Sequence, residues 1–125
     1  MGLTHKMLLV KESRKASAQR ELEFLIDSGA VHSLVPLEIL AELGIEPYKS
    51  VTFVLADGTK VERRVGDAYF EYRGDGGAAP VIFGEPGDEP LLGATTLESL
   101  GLVLNPLRRE LYPMRMMLAR TDLAG

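Results

Sequence analysis

The chain has 125 residues, 46% of them hydrophobic and 26% charged, with a formal net charge of −4. Such a length holds one sizeable core but not two lobes, and the mild acidity, with no basic stripe to neutralise phosphates, argues against nucleic acid as a partner. Cysteine is absent, which removes disulfides and thiolate chemistry from consideration.

No apolar run approaches the ~20 residues that a membrane-spanning helix needs. Met1-Gly2-Leu3-Thr4-His5-Lys6 holds neither the apolar segment of a secretory signal nor the Ser or Thr that a myristoylation signal carries at its sixth position. The expectation is a soluble, cytoplasmic protein with no membrane partner. A single domain is expected over residues 1–125, its core at about 6–112 and a tail at 113–125.

Residues 4–10 and 21–26 read as two strands around a polar turn region, 11–19. Glu21, Leu22, Glu23 and Phe24 alternate as a half-buried strand does, and Leu25-Ile26 then run on as though both faces were covered. Beyond a loop at Asp27, Leu34-Val35 is a short apolar stretch. Residues 36–43 read as a short helix: Pro36 suits the first turn, Leu37, Leu40 and Leu43 recur at helical spacing, and Gly44 is the stop.

Strands at 51–55 and 60–65 flank Asp57-Gly58, the strongest hairpin signal in the chain. Both residues tolerate the positive φ of a two-residue turn. Residues 68–72 form a further strand, 74–77 a flexible glycine-rich loop, 81–83 a buried strand and 84–90 an acidic connection rich in proline and glycine. Thr95 and Glu98 have the spacing of a capping box at the start of a second short helix that stops at Gly101. Residues 102–104 and 110–112 complete a mostly β protein, and the Met-rich stretch 114–118 is apolar enough to want a cover. A faint internal echo links Leu37-Glu38-Ile39-Leu40 with Leu97-Glu98-Ser99-Leu100, each preceded by an apolar strand and a glycine-containing loop.

Asp27-Ser28-Gly29-Ala30, directly after Phe24-Leu25-Ile26, carries the functional signal. A carboxylate at the end of a buried strand is costly unless it is paired or its pKa moves. Two such carboxylates sharing a proton can activate water. The chain holds one Asp-Ser/Thr-Gly triplet, so the second carboxylate must come from another chain.

These residues make the chain resemble the retropepsin-like aspartic proteases, particularly their small single-domain bacterial members. The likeness rests on three features in the family's order: the Phe24 to Ala30 motif, the Ala56-Asp57-Gly58 hairpin, and Leu91-Leu92-Gly93 before a short helix. It covers residues 6–112 and implies a closed, mostly antiparallel barrel with one or two short helices, acting as a homodimer on a peptide or protein substrate. By that resemblance Asp27 is the catalytic aspartate, Ser28 braces the two active-site loops, and Gly29 lets backbone amides approach the carboxylates, as its freedom of φ also suggests. Ala30 completes the loop, Ala56, Asp57 and Gly58 form the tip of a flap over the peptide, and Leu92 and Gly93 pack beneath the catalytic loop. No metal or organic cofactor is implied. Residues 110–117 are expected first at the dimer seam. Val31-His32 stands where many relatives carry small or acidic residues, and Thr59, Lys60 and Val61 give the flap fewer glycines than retroviral enzymes have.

Plainer readings exist for each feature. Asp27-Ser28-Gly29 is also a turn sequence, and Asp57-Gly58 is first a hairpin turn. His32 has only His5 as a companion, with no zinc-ligand spacing. Asp27, Ser28, His32 and Ser33 are too close in sequence to converge as a triad. Residues 74–77 lack the Gly-Lys-Ser/Thr of a phosphate cradle. The alternative to a protease is a module of the same fold, weakly active or inactive, that binds peptides or dimerises.

Overall fold

The alternation in residues 5–26 folds as an antiparallel pair, β1 (His5–Lys11) and β2 (Gln19–Ile26), with Leu8 opposite Leu22. Leu8, Val10, Leu22, Phe24 and Ile26 all face the core. The computed structural model describes residues 3–114. The elements that follow are β3 (Ser33–Pro36), α1 (Leu37–Glu42), β4 (Lys49–Val54), β5 (Lys60–Tyr72), β6 (Asp75–Gly84), β7 (Leu91–Leu92), α2 (Ala94–Leu100), β8 (Leu102–Asn105) and β9 (Glu110–Pro113).

Seven strands form one sheet in the order β1-β2-β7-β3-β6-β5-β4, and a further pairing joins β1 to β5, the strand before the far end. Six strands thereby complete a circuit, and β4 hangs outside it on β5. The core inside holds Phe24 and Phe70 in an edge-to-face contact with centroids 6.0 Å apart, a favoured aromatic geometry. The mostly β fold with two short helices is as expected. The sheet is not wholly antiparallel, because β2–β7 and β3–β6 run parallel. Those two pairings make sense of the internal echo. Exchanging β2-β3-α1 with β6-β7-α2 turns one parallel pair into the other, as two interlocked equivalent halves require.

Four local expectations are corrected. Residues 60–72 form one continuous strand, not two. Gly66 keeps the ladder unbroken because a Cβ there would lie 2.8 Å from the Glu46 carbonyl oxygen. The glycine-rich loop shrinks to a turn at Arg73-Gly74, and Gly76 and Gly77 belong to β6. Gly77 sits against the Ser99 backbone, where a Cβ would meet the carbonyl oxygen at 2.5 Å. The hairpin turn contains three residues, Ala56-Asp57-Gly58, closed by the Leu55 amide donating to the Thr59 carbonyl at 2.7 Å. Only Gly58 has positive φ there, +88°, so the turn needs one left-handed residue and not two.

The fourth correction concerns α2. It begins at Ala94 with Gly93 as cap and no side-chain capping bond, so Thr95 and Glu98 do not form a capping box. Its C-terminal cap is Gly101, as expected, at φ +70°. β8 and β9 form a separate two-stranded sheet whose Leu102 and Leu111 are buried. Of the expected seam at 110–117, residues 110–113 are β9, and the remainder past 114 lies outside the described residues, as does most of the apolar tail. Among the described residues no helix is long and apolar enough to cross a membrane.

Candidate active site

Strand β7 is short, yet it fixes where β2 ends. Leu25 and Ile26 pair in parallel with Leu91 and Leu92, and the Asp27 amide donates to the Leu92 carbonyl at 2.9 Å. Asp27 is therefore held by the sheet on its backbone side while its half-buried side chain enters the following loop. The loop closes tightly: the Ala30 amide donates to the Asp27 carbonyl at 3.1 Å, and the Gly29 amide donates to Asp27 Oδ1 at 3.0 Å. A Cβ on Gly29 would stand 3.3 Å from that oxygen. Gly29 has no positive φ among the glycines that do, so its value here is the close approach of amide to carboxylate and not a left-handed turn. Ser28 and Gly29 are exposed.

The second half of the loop is tied to α2. The Ala94 amide donates to the Ala30 carbonyl at 2.6 Å, and the Thr95 amide donates to the Val31 carbonyl at 3.2 Å. Loop carbonyls thus satisfy helix-start amides that a capping side chain would otherwise serve, which explains why the Thr95–Glu98 box is unused. Gly93 lies in the seam, where a Cβ would meet the His32 carbonyl oxygen at 2.5 Å and that of Ala30 at 2.8 Å. Leu92 is fully buried below.

Under this seam sits a polar pair that motif reasoning missed. Ser33 Oγ accepts the Gly93 amide at 2.9 Å and lies 2.5 Å from Thr96 Oγ1, and both residues are 0% exposed. Buried hydroxyls need such partners. Ser33 appeared in the sequence only as a discarded triad member. Its signal was its register, two residues before buried Val35 on the same face of β3.

The expected flap is the β4–β5 hairpin, and its tip residues Ala56, Asp57 and Gly58 are exposed. The Asp57 carboxylate accepts the Thr59 amide at 2.9 Å, and bonds from the Thr59 hydroxyl and amide hold its pKa below the ordinary carboxylate value. The structure brings the hairpin to the loop that follows Asp27 through Phe53, whose ring meets that of His32 edge to face at 5.5 Å. His32 therefore packs on the hairpin. At the hairpin's base Tyr48 donates to Asp67 Oδ1 at 3.3 Å, and partial burial together with the Asp67 charge raises the Tyr48 pKa.

A depression of about 570 Å³ is lined by His5, Met7, Glu21, Glu71, Tyr72 and Arg73, and another of about 350 Å³ lies beside Gly44, Glu46, Tyr48 and Asp67. Neither includes the Asp27 loop. Among the described residues no three His, Asp or Glu side chains cluster as metal ligands would.

No family model matches the sequence, and no curated protein matches it. Solved structures do. The simian foamy virus (mac) protease is 22% identical, with 74% of this chain and 92% of that one covered at a TM-score of 0.52. The EIAV protease, solved with an inhibitor, is 18% identical, with 83% and 93% covered at a TM-score of 0.55. The circuit of strands, the loop at the end of β2 and the hairpin beside it are thus the parts of a retropepsin-like fold, the fold of retroviral proteases.

Proposed function

We propose that the chain is an aspartic endopeptidase that works as a homodimer, each copy supplying one Asp27. The observation that carries this reading is the Asp27 loop itself. It is anchored through β7 and α2 on its inner side and presents a half-buried carboxylate beside exposed Ser28 and Gly29 on its outer side. An exposed small loop built on a rigid support suits face-to-face contact with its own copy. The solved neighbours are viral enzymes, so affiliation with small bacterial members rests on the sequence motifs alone.

Two carboxylates in contact cannot both ionise cheaply, so they share one proton and titrate as a unit. The ionised member takes a proton from water while the neutral member polarises the peptide carbonyl. Ser28 braces one loop on the other, and the Gly29 amide holds Oδ1 in place. The Ala56-Asp57-Gly58 tip covers an extended peptide, which pairs with the backbone as an added strand would. No metal or organic cofactor takes part, and the cytoplasm is the expected compartment.

The test incubates wild type and Asp27→Asn with a complex peptide mixture at several values between about pH 4 and 7. New termini are read by mass spectrometry. Cleavage by wild type alone is the expected result. Equal cleavage by Asp27→Asn overturns the mechanism, and absence of cleavage from a dimer verified by sedimentation favours a peptide-binding module.

A further inference from the structure

The hairpin arm is the least supported part of the sheet. β4 pairs only with β5 and packs extensively on no other element. Along the arm, Val51, Phe53, Val61 and Arg63 are half-buried on one face, while Thr52, Val54, Lys60 and Glu62 are exposed on the other. Among the described residues, an aromatic pair and an ion pair tie the half-buried face to the body of the protein. On the β4 side, Phe53 meets His32 at 5.5 Å with the rings at 80°. On the β5 side, Arg63 meets Glu85 at 3.6 Å, with the two side chains 26% and 59% exposed.

These ties are unequal. The Arg63–Glu85 pair is solvated and screened by salt, so it holds the arm weakly. The ring pair is edge to face, the preferred aromatic arrangement, and one partner is a fixed post. The backbone on both sides of His32 is immobilised, because the Val31 carbonyl is bonded to the Thr95 amide and the His32 carbonyl lies against Gly93. Phe53 sits one residue before the end of β4, close enough to the tip to set its height.

We propose that His32 is a positioning residue that latches the β4–β5 hairpin over the Asp27 loop through the Phe53 ring. The latch joins a sparsely supported hairpin to a loop anchored by backbone bonds. Its consequence for peptide capture rests on the peptidase reading, but the latch itself does not.

Because the chain has no cysteine, two introduced thiols carry spin labels with no background. Lys60→Cys at the start of β5 and Glu38→Cys on α1 are both exposed. Their separation is measured by electron–electron resonance in substrate-free full-length chain, diluted with unlabelled chain so that only distances within one copy are read. Wild type gives one narrow distance. His32→Ala raises the displaced population about 2- to 10-fold, as loss of one aromatic pair predicts. His32→Phe restores the narrow distance, Phe53→Leu reproduces the alanine result, and combining His32→Ala with Phe53→Leu adds nothing. A His32→Ala distribution identical to wild type, or no rescue by phenylalanine, overturns the proposal. In the cleavage assay His32→Ala raises KM more than it lowers kcat. The distance measurement decides the latch even if no peptide is cleaved.

Discussion

Replacing Ser33 by alanine tests whether the buried hydroxyl pair sets the candidate site. The substitution orphans the Gly93 amide, bonded at 2.9 Å to Ser33 Oγ, in a place with no solvent. An unsatisfied buried donor costs about 1–3 kcal/mol. Thr96 also loses its 2.5 Å partner, but its hydroxyl can turn to a carbonyl one helical turn back, so this adds only about 0.5–1 kcal/mol. The sum, about 1.5–4 kcal/mol, is a large part of the roughly 5–15 kcal/mol that holds a domain of this kind together. With a urea dependence of about 1–3 kcal/mol per molar, the unfolding midpoint should fall by about 0.5–4 M, and by about 1–2 M at the middle of that range. Thr96→Val should cost less, and the double variant should fall short of the sum by about 0.5–1.5 kcal/mol, since the two groups share one bond. Urea titrations at one fixed protein concentration, to hold any dimer contribution constant, give all three numbers. A Ser33→Ala shift under about 0.3 M would refute the reasoning, because no buried donor could then have been stranded.

Gly93→Ala should lose about 3 kcal/mol or more, or fail to fold, because its methyl would press on two backbone carbonyls at 2.5 and 2.8 Å; circular dichroism and urea melts read this. Gly77→Ala should destabilise more than Gly76→Ala in the same melts, since the first meets the Ser99 backbone and the second only the swinging end of Tyr69. Asp57 has its folded pKa depressed by Thr59, so its bond is present above the unfolded carboxylate value of 3.8 and is lost as pH falls through the lower folded one. The Thr59 amide resonance should accordingly titrate with a midpoint below 3.8, and a midpoint above that value would contradict the assignment.

Periodicity made most of the barrel legible. Strong alternation in 21–24 and the leucine spacing of 37–43 gave the right elements because each buries a single face. Two strands were expected at 60–65 and 68–72 and a loop at 74–77, yet Gly66 and Gly77 lie inside strands, where another backbone comes too close for any side chain. Thr95 and Glu98 had the right spacing for a cap, but the loop at 30–31 reached those amides first, and a contact so distant in sequence leaves no local trace. The same holds for Ser33 and Thr96. The Asp27 motif was visible, whereas the scaffold that orients it comes from residues about sixty positions later.

That separation has a consequence for the order of events during synthesis. The Asp27 loop is finished only when its amide meets Leu92, its carbonyls meet Ala94 and Thr95, and Ser33 meets Thr96. A ribosome adding roughly 5–20 residues per second leaves a nascent chain several seconds in which the aspartate exists but its setting does not. Any peptide ending before this C-terminal third therefore carries the motif without the site. The Asp27 carboxylate cannot reach its folded setting until the strands of both halves have interlocked, so a truncated or half-made copy lacks that setting by topology alone.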